Sequence, residues 1–223
     1  MPHDHDHHHH HHDDPFHHEG MSPSGHPYRP DNDQPLTYWQ RMGIAVRELL
    51  VEKGITTAAE VNEQIGKMDA RTPAQGARVV ARAWTDPAFK QRLLADGSAA
   101  MEEMGVDPDG LKLVAVENTD KVHNVIVCTL CSCYPHNLLG LPPDWYKTRA
   151  YRSRTVKEPR AVLHEFGLDL LEDVRIQVHD STADMRYMVL SRRPEGTEGW
   201  SREQLEAIVS RDCMIGVAVP RPG

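Results

Sequence analysis

Three of the four cysteines in this 223-residue chain fall within six positions: Cys128, Cys131 and Cys133. Thiols at that density serve a metal, a redox pair or a disulfide framework. Three neighbours cannot build a framework among themselves, and a Cys-x-x-Cys redox pair does not need a third thiol two residues on. A metal is the best reading. Structural zinc takes four N or S ligands in a tetrahedron. Here there are three sulfurs, with no second Cys-x-x-Cys and no His-x-x-x-His. His123 and His136 flank the segment and are the candidates for a missing zinc ligand. Cys213 is distant, stands before an apolar run, and reads as a buried small hydrophobe.

Spacing offers another way to complete a shell. Cys131 and Cys133 lie on either side of Ser132. If both sulfurs point at one ion, the amides of Ser132 and Cys133 face it as well. A sufficiently acidic trivalent ion would deprotonate those amides and take them as ligands. The result is a planar N2S2 set with Cys128 as axial sulfur and a sixth position open for water or substrate. Thiolate softness favours a transition metal over magnesium or calcium.

A second group of metal-binding side chains sits at the start. Ten of the fifteen histidines lie in residues 1–20, mixed with Asp4, Asp6, Asp13 and Asp14. The unbroken run His7 to His12 has the form of an expression tag. The alternation His3-Asp4-His5-Asp6, with no linker or cleavage sequence after it, favours a natural tract. Such a tract binds divalent metals weakly through imidazole. A role in metal loading is a hypothesis; unchanged metal content at limiting metal after removal of residues 1–20 would refute it.

The elements that must position the cysteines come in three blocks. Residues 1–34 offer little apolar area to offset ordering entropy and read as a disordered tail. Residues 35–106 read as a helical arm. Trp39, Met42, Val46, Leu49 and Leu50 recur at helical spacing before Gly54, Thr57-x-x-Glu60 is a capping box, and Thr72-Pro73 and Asp86-Pro87 open further helices. These helices are short and one face is apolar, so the arm needs a surface to lie on. Residues 107–223 read as the metal-binding domain. Leu111 to Val116 and Val122 to Val127 read as strands, and the cysteines follow the second at once. Asp144-Trp145-Tyr146 and Glu158-Pro159 open helices, the latter ending near Gly167. Val174 to Val178 and Met185 to Leu190 read as strands joined by a hairpin turn at Ser181 to Asp184. Ser201-x-x-Gln204 caps a last helix, and Met214 to Val219 reads as a final strand. Without a repeating βαβ unit, the fold class is α+β: a helical arm followed by a layered α-β-β-α domain.

Composition narrows the partners. Net charge is −8; residues 1–20 hold five acids and no Lys or Arg, leaving 28 acidic against 25 basic groups, or −3. That near balance argues against a nucleic-acid partner, and the run Arg149 to Arg154 reads as a subunit contact or a solvated face. No apolar run approaches the roughly 20 residues that span a bilayer, and no signal-peptide core follows the start. A cytoplasmic location with no membrane association is expected. Gly105-x-x-x-x-Gly110 lacks the Lys-Ser/Thr of a phosphate loop.

The segment Val127-Cys-Thr-Leu-Cys-Ser-Cys133, followed by Tyr134-Pro135 and Leu139-Gly-Leu-Pro-Pro-x-Trp-Tyr-Lys147, resembles the metal-binding segment of the nitrile hydratase α subunit. Val116-Glu-Asn-Thr119, Tyr151-Arg-Ser-Arg154, Arg186-Tyr-Met-Val-Leu190, Arg193-Pro-x-Gly-Thr-Glu-Gly-Trp200 and Arg211-Asp-Cys-Met-Ile-Gly-Val-Ala218 extend the resemblance over residues 40–220. The thiocyanate hydrolase γ subunit is a relative that shares the loop and can also carry a His/Asp-rich start. A metal carrier is the reading from another class; it predicts exchangeable divalent metal and unoxidised thiols.

The resemblance implies an enzyme that hydrates nitriles to amides at a non-corrin cobalt(III) or non-haem iron(III) centre. Thr129 stands where the cobalt type has Thr, so cobalt(III) is expected over iron(III). By position Cys128 is the axial thiolate, Cys131 becomes a sulfinic acid, Cys133 a sulfenic acid, and the main-chain nitrogens of Ser132 and Cys133 complete the ligand set. Cys131 and Cys133 are thus both ligands and catalytic residues. The Cys133 sulfenate oxygen either attacks the nitrile carbon or acts as a base on water. Buried oxidised sulfurs need strong donors, which the family supplies as arginines of a β subunit, in a heterodimer, an α2β2-type heteromer or a set of more chains. A cobalt-loading activator protein is a further implied partner. Two departures bear on the small-molecule nitrile. His136-Asn137 replaces the family's Trp-Pro and predicts a pocket open to bulkier or more polar nitriles; the bland alternative is that His136 packs at the subunit interface. Asp109-Gly110 replaces Gln-Gly, so Asp109 either joins the outer shell of the site or serves only the turn. The acidic His-rich tail is a third departure from two-subunit nitrile hydratases.

Overall fold

The structure is a computed structural model that describes residues 35–131 and 133–222. The tail over residues 1–34 and Ser132 lie outside the described residues.

Two helices come first, α1 (Tyr38–Glu52) and α2 (Ala58–Asp69). Each opens with a capping box, Thr37 with Gln40 and Thr57 with Glu60, so their first amides are satisfied without help from the rest of the chain. Neither buries a residue. Tyr38, Trp39, Met42, Val46, Leu49, Ile55 and Ile65 remain exposed, an apolar face larger than single scattered surface hydrophobes make.

The next helices belong to the body. α3 (Ala74–Thr85) buries Ala77, Val79, Val80 and Ala83. α4 (Pro87–Ala95) follows the Asp86-Pro87 signal: the Asp86 side chain accepts from the Phe89 amide, and Pro87 takes the first turn. α5 (Gly97–Glu103) leads into the sheets. Pro73 stands one place earlier than expected, at the cap of α3 rather than inside it.

The strands are β1 (Lys112–Glu117), β2 (Val122–Val127), β3 (Arg175–Asp180) and β4 (Met185–Leu190). They form two separate two-stranded parallel sheets, β1 with β4 and β2 with β3. The hairpin expected at Ser181 to Asp184 is therefore absent: the segment carries the chain from one sheet to the other. Parallel pairing demands a long crossover. Between β2 and β3 it is made by α6 (His136–Leu139), α7 (Asp144–Lys147), α8 (Arg149–Lys157) and α9 (Pro159–Glu165). β2 is buried along nearly its whole length, with Val125, Ile126 and Val127 fully enclosed, and Met188, Val189 and Leu190 of β4 join the same core. Full burial of a side chain of this size contributes roughly 1.5–3 kcal/mol, so β2 is a rigid base for the cysteine loop at its end.

α10 (Arg202–Ala207) has the expected Ser201/Gln204 capping box. The final strand at Met214 to Val219 does not form. Instead α11 (Arg211–Ile215) ends at Gly216, and the amides of Gly216, Val217 and Ala218 turn back to the Asp212 carbonyl, leaving none of the three for a ladder. Gly216 has φ +94° and lies so close to β2 that a Cβ would stand 2.1 Å from the Asn124 carbonyl oxygen. Among the described residues no helix is long and apolar enough to cross a membrane.

Candidate metal centre

The cysteine loop hangs from the buried end of β2. The parallel register sets Val127 opposite Asp180, and the Ser181 amide closes the ladder on the Val127 carbonyl at 2.8 Å. Beyond that bond the chain leaves the sheet at Cys128, which is wholly buried. Asp180 then holds the next residue twice. Its carboxylate accepts from the Thr129 amide at 2.9 Å and from the Thr129 hydroxyl at 2.5 Å. The Thr129 carbonyl accepts from Arg152 of α8 at 3.4 Å. Past the loop, the Tyr146 hydroxyl donates to the Cys133 carbonyl at 3.0 Å, and Tyr134 packs edge-on against Tyr146 with ring centroids 5.0 Å apart. The Tyr151 hydroxyl donates to the Ile126 carbonyl at 2.7 Å, bracing β2 from the same side.

Held at both ends, the loop folds its thiols together. Cys128 Sγ is 3.5 Å from Cys131 Sγ, which is 3.1 Å from Cys133 Sγ, and all three lie within 4.8 Å of one another. The Cys131 amide also points at Cys128 Sγ, 3.3 Å away. Cys128 is buried, Cys133 half-buried and Cys131 exposed. Two metal–sulfur bonds of about 2.3 Å span up to roughly 4.6 Å, so the 3.5 and 3.1 Å separations lie within the reach of one ion and the group could hold a metal. Without a cation Cys133 resists ionisation: burial first, then hydrogen bonding to Cys131 and Cys128, pushes its thiol up to about 12, against the opposing field of Arg186. A bound cation reverses that balance by pairing with the thiolates.

The zinc alternative loses its extra ligands. His123 is buried at the other end of β2, with Nε2 2.7 Å from the Gly216 carbonyl and Nδ1 3.3 Å from the Asn118 side-chain nitrogen Nδ2. Both ring nitrogens are thereby spent. His136 does not join the sulfur group either; its Nδ1 lies 3.4 Å from the Tyr134 carbonyl, and burial lowers its pKa. Cys213 is buried against Ser210, as the sequence implied.

The proposed pocket residues are partly gathered. His136 and Asn137 share a cavity of about 10 Å³ with Pro135, Leu113 and Arg186. That is room for about one water among the described residues. Asn137 donates to the Asp107 carbonyl at 2.8 Å. Asp109 is tied to the same turn. Its amide donates to the Asp107 side chain at 2.8 Å, its carboxylate is 4.0 Å from Arg71, and its φ of +56° is unusual for a non-glycine residue. Sequence reasoning missed Asp180, Tyr146, Arg152 and Arg186 as individual contributors. Only the tertiary structure brings them to the loop, and Asp180 is 51 residues from Thr129.

Residues 37–218 match the nitrile hydratase α-chain family. The chain belongs to that family. It is 51% identical over 178 residues to the α subunit of a low-molecular-weight cobalt-containing nitrile hydratase of Rhodococcus rhodochrous, covering 79% of this chain and 86% of that one. It is 44% identical over 192 residues to the thiocyanate hydrolase γ subunit of Thiobacillus thioparus, covering 81% and 79%. Its fold superimposes with a TM-score of 0.79 on a double mutant of the Fe-type nitrile hydratase from Comamonas testosteroni Ni1, at 44% identity and with 84% and 92% of the two chains covered. The family thus embraces cobalt and iron relatives, and the cysteine cluster is the metal site of a nitrile hydratase α chain.

Proposed function

We propose that this chain carries the cobalt(III) centre of a nitrile hydratase and acts with a β subunit to convert nitriles to amides. The observation that carries the reading is the convergence of Cys128, Cys131 and Cys133 in a chain 51% identical to a cobalt-containing relative. Thr129 adds to the preference for cobalt over iron. The bound ion would supply Lewis acidity toward a nitrile nitrogen or a water. The chain's own part is to hold and tune the donors. Buried Cys128 would provide a thiolate, and the main-chain nitrogens of Ser132 and Cys133 would complete the donor set. Cys131 as sulfinate and Cys133 as sulfenate would lie on the more open side of the loop, where the Cys133 oxygen would serve as nucleophile toward the nitrile carbon or as base toward water. Asp180 and Tyr146 keep the two ends of the loop in place.

Oxidised sulfurs call for guanidinium donors, which we assign to the partner chain. The exposed apolar arm of α1 and α2 gives that chain a surface to grip, and the small cavity at His136 leaves it to finish the substrate chamber. His136 and Asn137 favour bulky or polar nitriles, and Asp109 shapes the outer turn. A cobalt-loading activator protein would fill the site. A second reading, a thiocyanate hydrolase γ subunit, is favoured by the 192-residue match.

Co-expression with partner chains in cobalt medium, followed by assays for amide from nitriles and for carbonyl sulfide from thiocyanate, separates these readings. Mass spectrometry of the active complex should find two added oxygens on Cys131 and one on Cys133; unmodified thiols would refute the oxidised centre. His136→Trp should shift preference from a large heteroaromatic nitrile toward a small aliphatic one. An unchanged ratio would leave His136 as a packing residue only.

A further inference from the structure

One face of α8 is unlike the rest of the surface. Arg149, Arg152 and Val156 recur at spacings of three and four, Ser153 and Lys157 run beside them, and with Thr129 and Leu130 of the metal loop they line an open groove of about 630 Å³. Leu130 is 85% exposed and Val156 50%. Among the described residues none of the three cations forms an ion pair; Arg152 meets only the Thr129 carbonyl. On the opposite side of the same helix Arg154 is held by both Glu158 and Glu165. The groove therefore presents three unneutralised positive charges around an apolar floor, beside the thiol cluster.

The chain contains a segment of matching chemistry. Residues 1–20 carry five carboxylates and no Lys or Arg, and Asp13-Asp14-Pro15-Phe16-His17-His18-Glu19 sets an aromatic ring among three of them. From Glu19 to Pro35 the chain can span about 50 Å at full extension, against a radius of gyration of about 16 Å for a folded body of this size. We propose that this acidic His-rich segment docks in the α8 groove, carboxylates on Arg149, Arg152 and Lys157 and Phe16 on Leu130 and Val156. Docking puts a run of imidazoles beside Cys128, Cys131 and Cys133 and raises the local concentration of a borderline divalent cation there before the centre is complete. This consequence rests on the metal-centre reading; the docking itself does not.

The test of docking uses the full-length, metal-free chain and a zero-length carbodiimide, with peptide mapping of the products. Lys157 should join Asp13, Asp14 or Glu19 with a yield roughly tenfold above that of exposed Lys53. That yield should collapse at 1 M salt, where screening acts within about 3 Å. It should also collapse in R149E/R152E and return when Asp13→Arg and Asp14→Arg are added, with Glu19 still available to Lys157. Cross-links spread evenly over the lysines, yields indifferent to salt and charge reversal, or capture of Lys157 by a partner-chain carboxylate in the co-purified complex would each overturn it. Delivery is read separately as cobalt content at limiting cobalt. It should fall several-fold in R149E/R152E and in D13R/D14R and recover when both pairs are combined, and unchanged content would overturn the delivery role.

Discussion

Replacing Asp180 by alanine removes both anchors of Thr129 at once. Hydrogen bonds to a charged acceptor are worth about 1.5–3 kcal/mol each when well shielded, and less in contact with solvent. Asp180 and Thr129 are exposed, so about 1 kcal/mol for each of the two bonds is the appropriate scale. Losing about 2 kcal/mol of local ordering speeds exchange of the Thr129 amide roughly thirtyfold. Asp180→Asn should do less, about fivefold, because its oxygen still accepts from the amide and its NH2 can donate to the Thr129 hydroxyl. The Ser181 amide, bonded to the Val127 carbonyl, reports on the sheet and should stay protected in both variants. Amide hydrogen exchange on the metal-free chain measures all three. Exchange at Thr129 within twofold of the parent in Asp180→Ala would show that the clamp does not order the loop. Equal acceleration at Ser181 would show that Asp180 acts through the sheet instead.

Gly216→Ala should be severely destabilising, by about 3 kcal/mol or more, because it combines a left-handed backbone with a Cβ 2.1 Å from the Asn124 oxygen; denaturant unfolding, or failure to accumulate folded chain, checks it. Tyr146→Phe removes the hydroxyl that meets the Cys133 carbonyl and should cost about 1 kcal/mol in the same assay; no measurable loss would mean that solvent replaces the bond. In the metal-free chain the raised Cys133 pKa keeps the thiol protonated. The fold should therefore hold below an ordinary thiol pKa near 9 and lose stability as pH climbs from there toward 12. Alkylation of Cys133 at pH 8 should be much slower than that of a free cysteine. Fast alkylation, or flat stability across that alkaline window in comparison with Cys133→Ser, would contradict this.

What the sequence alone determined is what local chemistry encodes. The Thr57/Glu60 and Ser201/Gln204 boxes and the Asp86-Pro87 start form as expected, because each is completed within four residues. The two strands before the cysteines and the density of thiols were legible for the same reason, but the span read as one helical arm was not: α1 and α2 bury nothing, whereas α3 to α5 pack into the core. The pairing of the strands was not. Nothing in the periodicity of Val174 to Leu190 distinguishes a hairpin from two strands in different sheets; that choice depends on partners more than 50 residues away. Nor does an apolar run such as Met214 to Val219 show that its amides will be taken by Asp212 and its glycine pressed against Asn124. The site follows the same division. Three sulfurs at close spacing announced a metal, but only the parallel register that sets Val127 opposite Asp180 decided what holds the loop. Only burial between Asn118 and Gly216 removed His123 from the candidates. Register and close approach are properties of surfaces that meet, and a surface exists only once the chain has folded.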